Sequence, residues 1–424
     1  MKDTIIYFFT DSVAFKVLIG ITIISATSGI VGTFSFLRKK TLVGDAIAHS
    51  LFPGICLGFI FSGTKDPFYL MLGSLITGWL SVWLIDVLTA KSKLSSDTSI
   101  AFVSTFFFAI GAVLLSYISG SSNGNQSGLK DFLFGKAATM TNDDINVFVL
   151  LSLIIVLVVI LFFKYFQLIS FNKEFAKSIG IKVNLIEFLL STITVLTVAI
   201  GIQSVGVVLT SALLIAPAAT ARYWTNNLPK MLFYSALIGV SSGVLGVFIS
   251  STKENMPTGP WIVFILFFFI LLTLLFSSNK GWFSMVRKQR INRQKMAEEN
   301  VLKVFYQLAE LGVKNVTYSE FLNKRQMDTK ELTNTIVSLI KKGFINNDFQ
   351  LYKLSEKGEV EAARIVRFHR LWELYLTKRL NFKEDHIHGT AETIEHLITP
   401  EIEKELLKEL KFPTADPHNK NIPY

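Results

Sequence analysis

The residues able to do chemistry in this chain fall in two places, and the sharper of the two is GDAIAHSLFPG. Asp45 and His49 are four residues apart. On a helix they share one face and present a carboxylate oxygen and an imidazole nitrogen to the same point, a pairing that suits a divalent transition cation. The competing reading makes Asp45 a helix N-cap and His49 a hydrogen-bonding group against a neighbouring helix. Towards the other end, His369 and Glu373 are again four apart in EAARIVRFHRLWELYLTKRL. HIHGTAETIEHLI then sets His388, Glu392 and His396 at the same interval, with Glu395 three after Glu392 on the same side. One such pair is a weak signal, and two groups on adjacent predicted helices are a stronger one; a solvated charged face is the competing reading. Asp86, in SVWLIDVLTAK, reads as a structural contact near a helix end, and Asp97, in SSDTS, as an N-cap.

The elements that must position these residues are set by composition. The chain has 424 residues, 50% of them hydrophobic and 37 of them Phe, with a mean hydropathy of +0.46. That is too apolar for an ordinary soluble protein. A membrane-crossing helix needs about 20 apolar residues. Such runs lie near 16–37, 45–63, 68–90, 98–119, 145–166, 184–203, 231–251 and 260–278. A shorter run at 205–221 contains Pro217 and several small residues, which fits a packed or broken helix better than a lipid-facing one.

Lys and Arg concentrate in alternate loops: Arg38 to Lys40, Lys91 and Lys93, Lys164 to Lys182, Arg222 and Lys230, and everything after Lys280. Basic loops face the cytoplasm. Threading the chain on that rule needs an odd number of crossings, so the 205–221 run counts as one; eight or nine helices are expected, nine preferred. A cleaved signal peptide is not expected, because the first residues lack a basic stretch and carry Asp3 and Asp11. Cys56 is the only cysteine, so any metal must be held by His, carboxylates or carbonyls. No GxxxxGK[ST] phosphate loop occurs in the sequence, so no nucleotide site of that kind is expected in this chain.

Near residue 280 the frequency of charged residues rises roughly threefold, which marks a domain boundary. The expected organisation is a membrane domain over 1–280, a basic juxtamembrane linker over 281–294 that meets anionic lipid, a winged-helix-like domain over 295–360 and a helical dimerisation-like domain over 361–424. Val301, Val304, Phe305 and Leu308 have helical spacing. TYSEFLNKRQ and DTKELTNTIVSLIKKG read as a helix–turn–helix pair, and GFINNDFQLYKLSEKG as a two-stranded wing. The fold class is therefore an all-α polytopic membrane protein followed by a cytosolic winged-helix and helical dimerisation unit.

Several of these segments resemble the permeases of manganese, zinc and iron ABC transporters. They are RKKTLVGDAIAHSLFPGICLGF, DTSIAFVSTFFFAIGAVLLS, FNKEFAKSIGI and the long stretch from SVGVVLTSALLIAPAATARYW to MPTGPWIV. The resemblance implies a dimerising importer half-channel in the bacterial plasma membrane, homodimeric or paired with a second permease. A separate ATPase subunit would dock beneath it, and an extracytoplasmic metal-binding receptor would feed it. By matching position, Asp45 and His49 look like pathway metal ligands. The turn from Ala221 to Lys230, with Arg222, Tyr223, Trp224, Asn227 and Leu228, looks like the segment that meets the ATPase.

Residues 296–424 look like diphtheria-toxin-repressor-type metal-dependent regulators, through LSEKGEVEAARIVRFHRLWELYL, HIHGTAETIEHLITPEIEKEL and FPTADPHNKNIP. His369, Glu373, His388, Glu392, Glu395 and His396 then resemble the sensor's metal ligands, and their oxygen-rich character favours Mn(II) over Zn or Fe. Two positions depart from that pattern. Asn300 stands where Asp or Met is expected to be a ligand, and Lys303 stands where manganese sensors have an acidic residue. The predicted recognition helix, 328–342, carries Thr333, Asn334 and Thr335 at its middle and its lysines mainly at the ends, which argues against a DNA-reading role. The functional expectation is a metal-importer permease with a metal-responsive cytosolic tail; the alternative is a membrane-anchored metal-dependent transcriptional regulator.

Overall fold

The computed structural model describes residues 12–64, 66–120, 140–253, 256–278, 280–324, 327–349, 351–380 and 400–424. The chain forms two compact units, Met1–Ser284 and Met285–Tyr424.

In the first unit the apolar runs become α1 (Ser12–Leu37), α2 (Val43–Ser62), α3 (Pro67–Lys91), α4 (Ser96–Gly120), α5 (Asn142–Leu161), α6 (Phe163–Phe171), α7 (Lys173–Ser178), α8 (Val183–Val205), α9 (Val207–Trp224), α10 (Leu228–Ser250) and α11 (Thr258–Phe276). Among the described residues, nine of these are long and apolar enough to cross a membrane: all except α6 and α7. The 205–221 run is one of the nine. Gly206, at φ 85°, opens the turn that separates α9 from α8, a backbone conformation that glycine adopts without a Cβ penalty. Pro217 sits inside α9 without ending it. The expected run 145–166 is two helices, because the chain turns at Phe162 and restarts as α6. Asp97 is not the cap of α4. Ser95 Oγ accepts from Thr98 N at 3.2 Å and fills that role, leaving Asp97 exposed in the first turn.

The core of this unit runs through α1, α2, α8 and α9, with Ile21, Phe34, Ile47, Leu51, Ile193, Val198 and Leu213 buried in it. The outer surfaces of α3, α5 and α11 carry exposed Trp83, Leu150, Leu153, Phe264 and Phe267, the side chains a lipid-facing helix presents. Helices α2 and α3 approach until backbone meets backbone. A Cβ on Gly54 would collide with the Gly73 carbonyl, and one on Gly73 with the carbonyl of Gly54. Small residues at such crossings replace the hydrophobic drive that lipid removes. The basic loops are tied together by ion pairs: Arg38 to Glu187 at 2.8 Å, Lys173 to the same carboxylate at 2.8 Å, and Lys40 to Asp86 at 2.7 Å.

The second unit contains α12 (Trp282–Glu310), α13 (Tyr318–Lys324), α14 (Thr329–Lys341), the antiparallel strands β1 (Ile345–Asp348) and β2 (Leu351–Leu354), α15 (Glu356–Leu380) and α16 (Pro400–Glu409). Most of residues 281–294 form the first half of α12. Ile345 pairs with Leu354, and Val316 bridges to Tyr352 as a third edge. Helices α12 to α14 with this hairpin make a winged-helix arrangement around Phe305, Phe321, Ile336 and Leu339. Glu298 is buried and accepts from Ser338 Oγ and Lys342 Nζ, both at 2.7 Å, which fixes α14 against α12. Thr317 donates from its backbone N and Oγ1 to Glu320 Oε2, which holds that carboxyl below the usual carboxylate range. The last residues fold back on α15. Arg370 is buried, pairs bidentately with Glu310 at 2.7 and 2.9 Å, and also donates to the Asn421 carbonyl.

Substituting Gly54→Leu forces α2 and α3 apart and costs about 3 kcal/mol. Size-exclusion chromatography of the detergent-solubilised chain after heating is expected to show its monodisperse peak lost at a lower temperature than for the native protein.

Candidate metal site and coupling segment

Asp45 and His49 lie in the first two turns of α2, and the helix places their side chains on one face with His49 Nε2 3.9 Å from Asp45 Oδ1. Asp45 does not cap α2. The N-cap position is Leu42, with no side-chain cap bond, and the carboxylate is turned across to α9, where Ser211 Oγ donates to Oδ1 at 3.0 Å. Val207 O lies 3.1 Å from the same hydroxyl, so the two acceptors compete for one proton. Among the described residues His49 makes no hydrogen bond to a neighbouring helix either. Its ring meets Phe108 edge-on at 5.3 Å, and Nδ1 is buried with no hydrogen-bond partner among the described residues. Both side chains are partly exposed at the surface of the chain, 46% for Asp45 and 32% for His49. Polar groups at such positions on a membrane-crossing helix face a pathway or a partner rather than lipid.

Pro53 lies inside α2. A proline has no N–H, so the carbonyl four residues earlier, that of His49 itself, lacks its helical donor. Pro217 does the same for the Leu213 carbonyl on α9. The arrangement thus offers a carboxylate and an imidazole on one face of α2, with the carboxylate joined to α9 at Ser211. Sequence reasoning missed Ser211, whose type and setting match the back-bonded hydroxyls of Ser50, Thr210 and Thr220 in the same two helices. The Pro53 effect was legible in SLFPG.

Of the coupling residues, Arg222, Tyr223 and Trp224 form the last turn of α9, and the linking turn is only 225–227, shorter than the expected 221–230. Asn227 is the N-cap of α10 and accepts from Lys230 N at 3.3 Å; Leu228 is the first residue of that helix and is buried. Trp224 is half-exposed and donates from its indole to Thr273 Oγ1 at 3.0 Å, and Ser277 Oγ donates to the Tyr223 carbonyl at 2.8 Å. The end of α9 is therefore pinned to the end of α11.

In the second unit, His369 and Glu373 are brought together and buried on α15, with Nε2 3.1 Å from Glu373 Oε1. His388, Glu392, Glu395 and His396 lie outside the described residues. Among the described residues no group of three or more His, Cys, Asp or Glu side chains gathers around one point. The residues facing His369 from α12 do not fit a divalent cation. Lys303 is buried with Nζ 3.0 Å from His369 Nδ1, and Asn300 is a neutral amide whose buried Oδ1 has no hydrogen-bond partner among the described residues.

Nine apolar helices among the described residues, with close glycine contacts between them, make this a polytopic membrane protein with an appended winged-helix unit. The chain belongs to the ABC 3 transport family, whose model matches residues 10–277. The model of the metal binding and dimerisation domain of iron-dependent repressors matches residues 355–424. A manganese transport system membrane protein of Bacillus subtilis is 35% identical over 85% of this chain and 83% of its own length. A zinc transport system membrane protein of Treponema pallidum is 34% identical over 67% of this chain and 96% of its own. Among solved structures, PsaBC from Streptococcus pneumoniae in complex with Fab is similar at a TM-score of 0.60 and 31% identity, covering 67% of this chain and 99% of that one.

Replacing Ser211→Ala frees the Asp45 carboxylate to rotate. Mn(II) affinity of the purified full chain, followed by electron paramagnetic resonance, is expected to fall about tenfold, with no change in elution volume.

Proposed function

We propose that this protein is the permease subunit of an ATP-driven importer of a divalent transition metal, with manganese the foremost cargo and zinc or iron the alternatives. The observation that carries the reading is the α2 pair: a carboxylate that accepts from Ser211 and an imidazole one turn on, both partly exposed on one face of a membrane-crossing helix. Membership of the ABC 3 transport family and the names of the relatives support the same reading.

In this mechanism the metal is substrate. An extracytoplasmic receptor delivers it, and two permease chains, identical or paired, form the pathway between them. Asp45 supplies the anionic oxygen that offsets part of the dehydration cost of a divalent cation, and His49 supplies the imidazole ligand. Neither holds the ion so completely that it cannot leave, since a two-ligand site leaves most coordination positions to water or to the second chain. ATP hydrolysis belongs to a separate subunit that docks on the basic side of a bacterial plasma membrane. Arg222, Tyr223 and Trp224 form the contact with that subunit, Asn227 and Leu228 hold the start of α10, and the bond from Trp224 to Thr273 passes displacement of the segment to α11. The C-terminal unit lies in the cytosol and is a regulatory tail that adjusts flux.

Reconstituting the chain with its copurifying ATPase and a metal receptor tests this. Asp45→Asn combined with His49→Gln is expected to lower ATP-dependent Mn(II) uptake into proteoliposomes about 100-fold while leaving ATPase copurification intact. Unchanged uptake of every divalent cation defeats the reading. Arg222→Glu is expected to act the other way, reducing the amount of ATPase retained on the chain without changing Mn(II) binding in detergent.

A further inference from the structure

His369 has one lone pair to give as a neutral imidazole, and its surroundings decide where that lone pair goes. An ammonium only donates hydrogen bonds. Lys303 Nζ, 3.0 Å from Nδ1, therefore requires the lone pair on Nδ1 and the proton on Nε2. Nε2 in turn faces Glu373 Oε1 at 3.1 Å, an acceptor. A metal-bound histidine likewise gives the lone pair of one ring nitrogen to the cation. Here the atom receiving the lone pair is a lysine nitrogen. All three side chains are buried, at 3%, 4% and 2% exposure for Lys303, His369 and Glu373.

We propose that Lys303 is the resident cation of the C-terminal unit: its ammonium takes the lone pair of His369 that a divalent metal would need, so the His369–Glu373 pair does not bind metal. Moving the metal to Nε2 offers no way out, because Nδ1 would then carry a proton aimed at an ammonium, donor against donor. Admitting a divalent ion beside Lys303 would also bury like charges a few ångströms apart, which low-dielectric surroundings penalise heavily. The fixed positive charge performs the structural work of a metal, joining α12 to α15 whether or not metal is present. Any metal response of the tail then rests on His388, Glu392, Glu395 and His396 without this pair.

The test uses the full chain in detergent with Asp45→Ala and His49→Ala introduced to silence the pathway pair, and it reads no transport, so its failure is separate from failure of the permease reading. Mn(II) affinity by electron paramagnetic resonance is expected to change less than about twofold on adding His369→Ala. Adding Lys303→Glu instead, which restores an anionic oxygen, is expected to raise affinity at least about tenfold and to make it sensitive to His369→Ala. Hydrogen–deuterium exchange of α15 is expected to speed up at least about tenfold in Lys303→Met, with no recovery on adding Mn(II). A tenfold loss of Mn(II) affinity from His369→Ala with Lys303 in place overturns the proposal, and so does native exchange in Lys303→Met. If Lys303→Glu fails to fold, those two measurements still decide the matter.

Discussion

A carboxylate on a membrane-crossing helix has to be held by another polar group, or its desolvation expels it from the bundle. In this protein the group is the hydroxyl of Ser211, and the bond it makes to Asp45 joins α2 to α9 across 166 residues of sequence. Much of the first unit's geometry serves that junction. α9 can reach α2 because Gly206 turns the chain sharply after α8. α1 can lie against α9 because Gly32 leaves room for the Leu214 carbonyl. α2 is held at a fixed distance from α3 by the reciprocal contact of Gly54 and Gly73. The side chain that would do the chemistry is thus positioned by residues with little or no side chain.

The two units meet the same physical problem in opposite ways. In the membrane unit the Asp45–His49 pair stays partly exposed, as transient occupation by a passing ion demands. In the second unit the imidazole of His369 is closed in, with its ring nitrogens facing a carboxylate and an ammonium. The same i, i+4 spacing of an acid and a histidine therefore yields an open site and a filled one. What separates them is the residue that a second helix brings to the pair: a neutral hydroxyl from α9 in one case and a lysine from α12 in the other.

A reading of the sequence placed the apolar helices well, because runs of twenty apolar residues have few alternatives in water or lipid. It placed the helix–helix–hairpin order of the second unit for a similar reason, the periodicity of Val301, Val304, Phe305 and Leu308 being strong. It misplaced smaller features where two local solutions have nearly equal cost. Ser95 rather than Asp97 caps α4, since either side chain can accept from the first turn. The turn after α9 is three residues rather than ten, since Arg222 to Trp224 prefer to continue a helix pinned by Thr273 and Ser277. Nothing in FPTADPHNKNIP announced that its backbone would receive the guanidinium of Arg370.

By itself, then, the sequence determined that the chain crosses a membrane repeatedly, that a charged winged-helix unit follows, and that an acid and a histidine share one helical face in each. Those are properties of hydrophobicity and spacing, fixed by residues near one another in the chain. Only the tertiary structure decided that Ser211 supports Asp45, and that Lys303 fills the place beside His369. These contacts join residues 166 and 66 positions apart, and an i, i+4 pattern says where two ligands stand but not what the fold delivers to them.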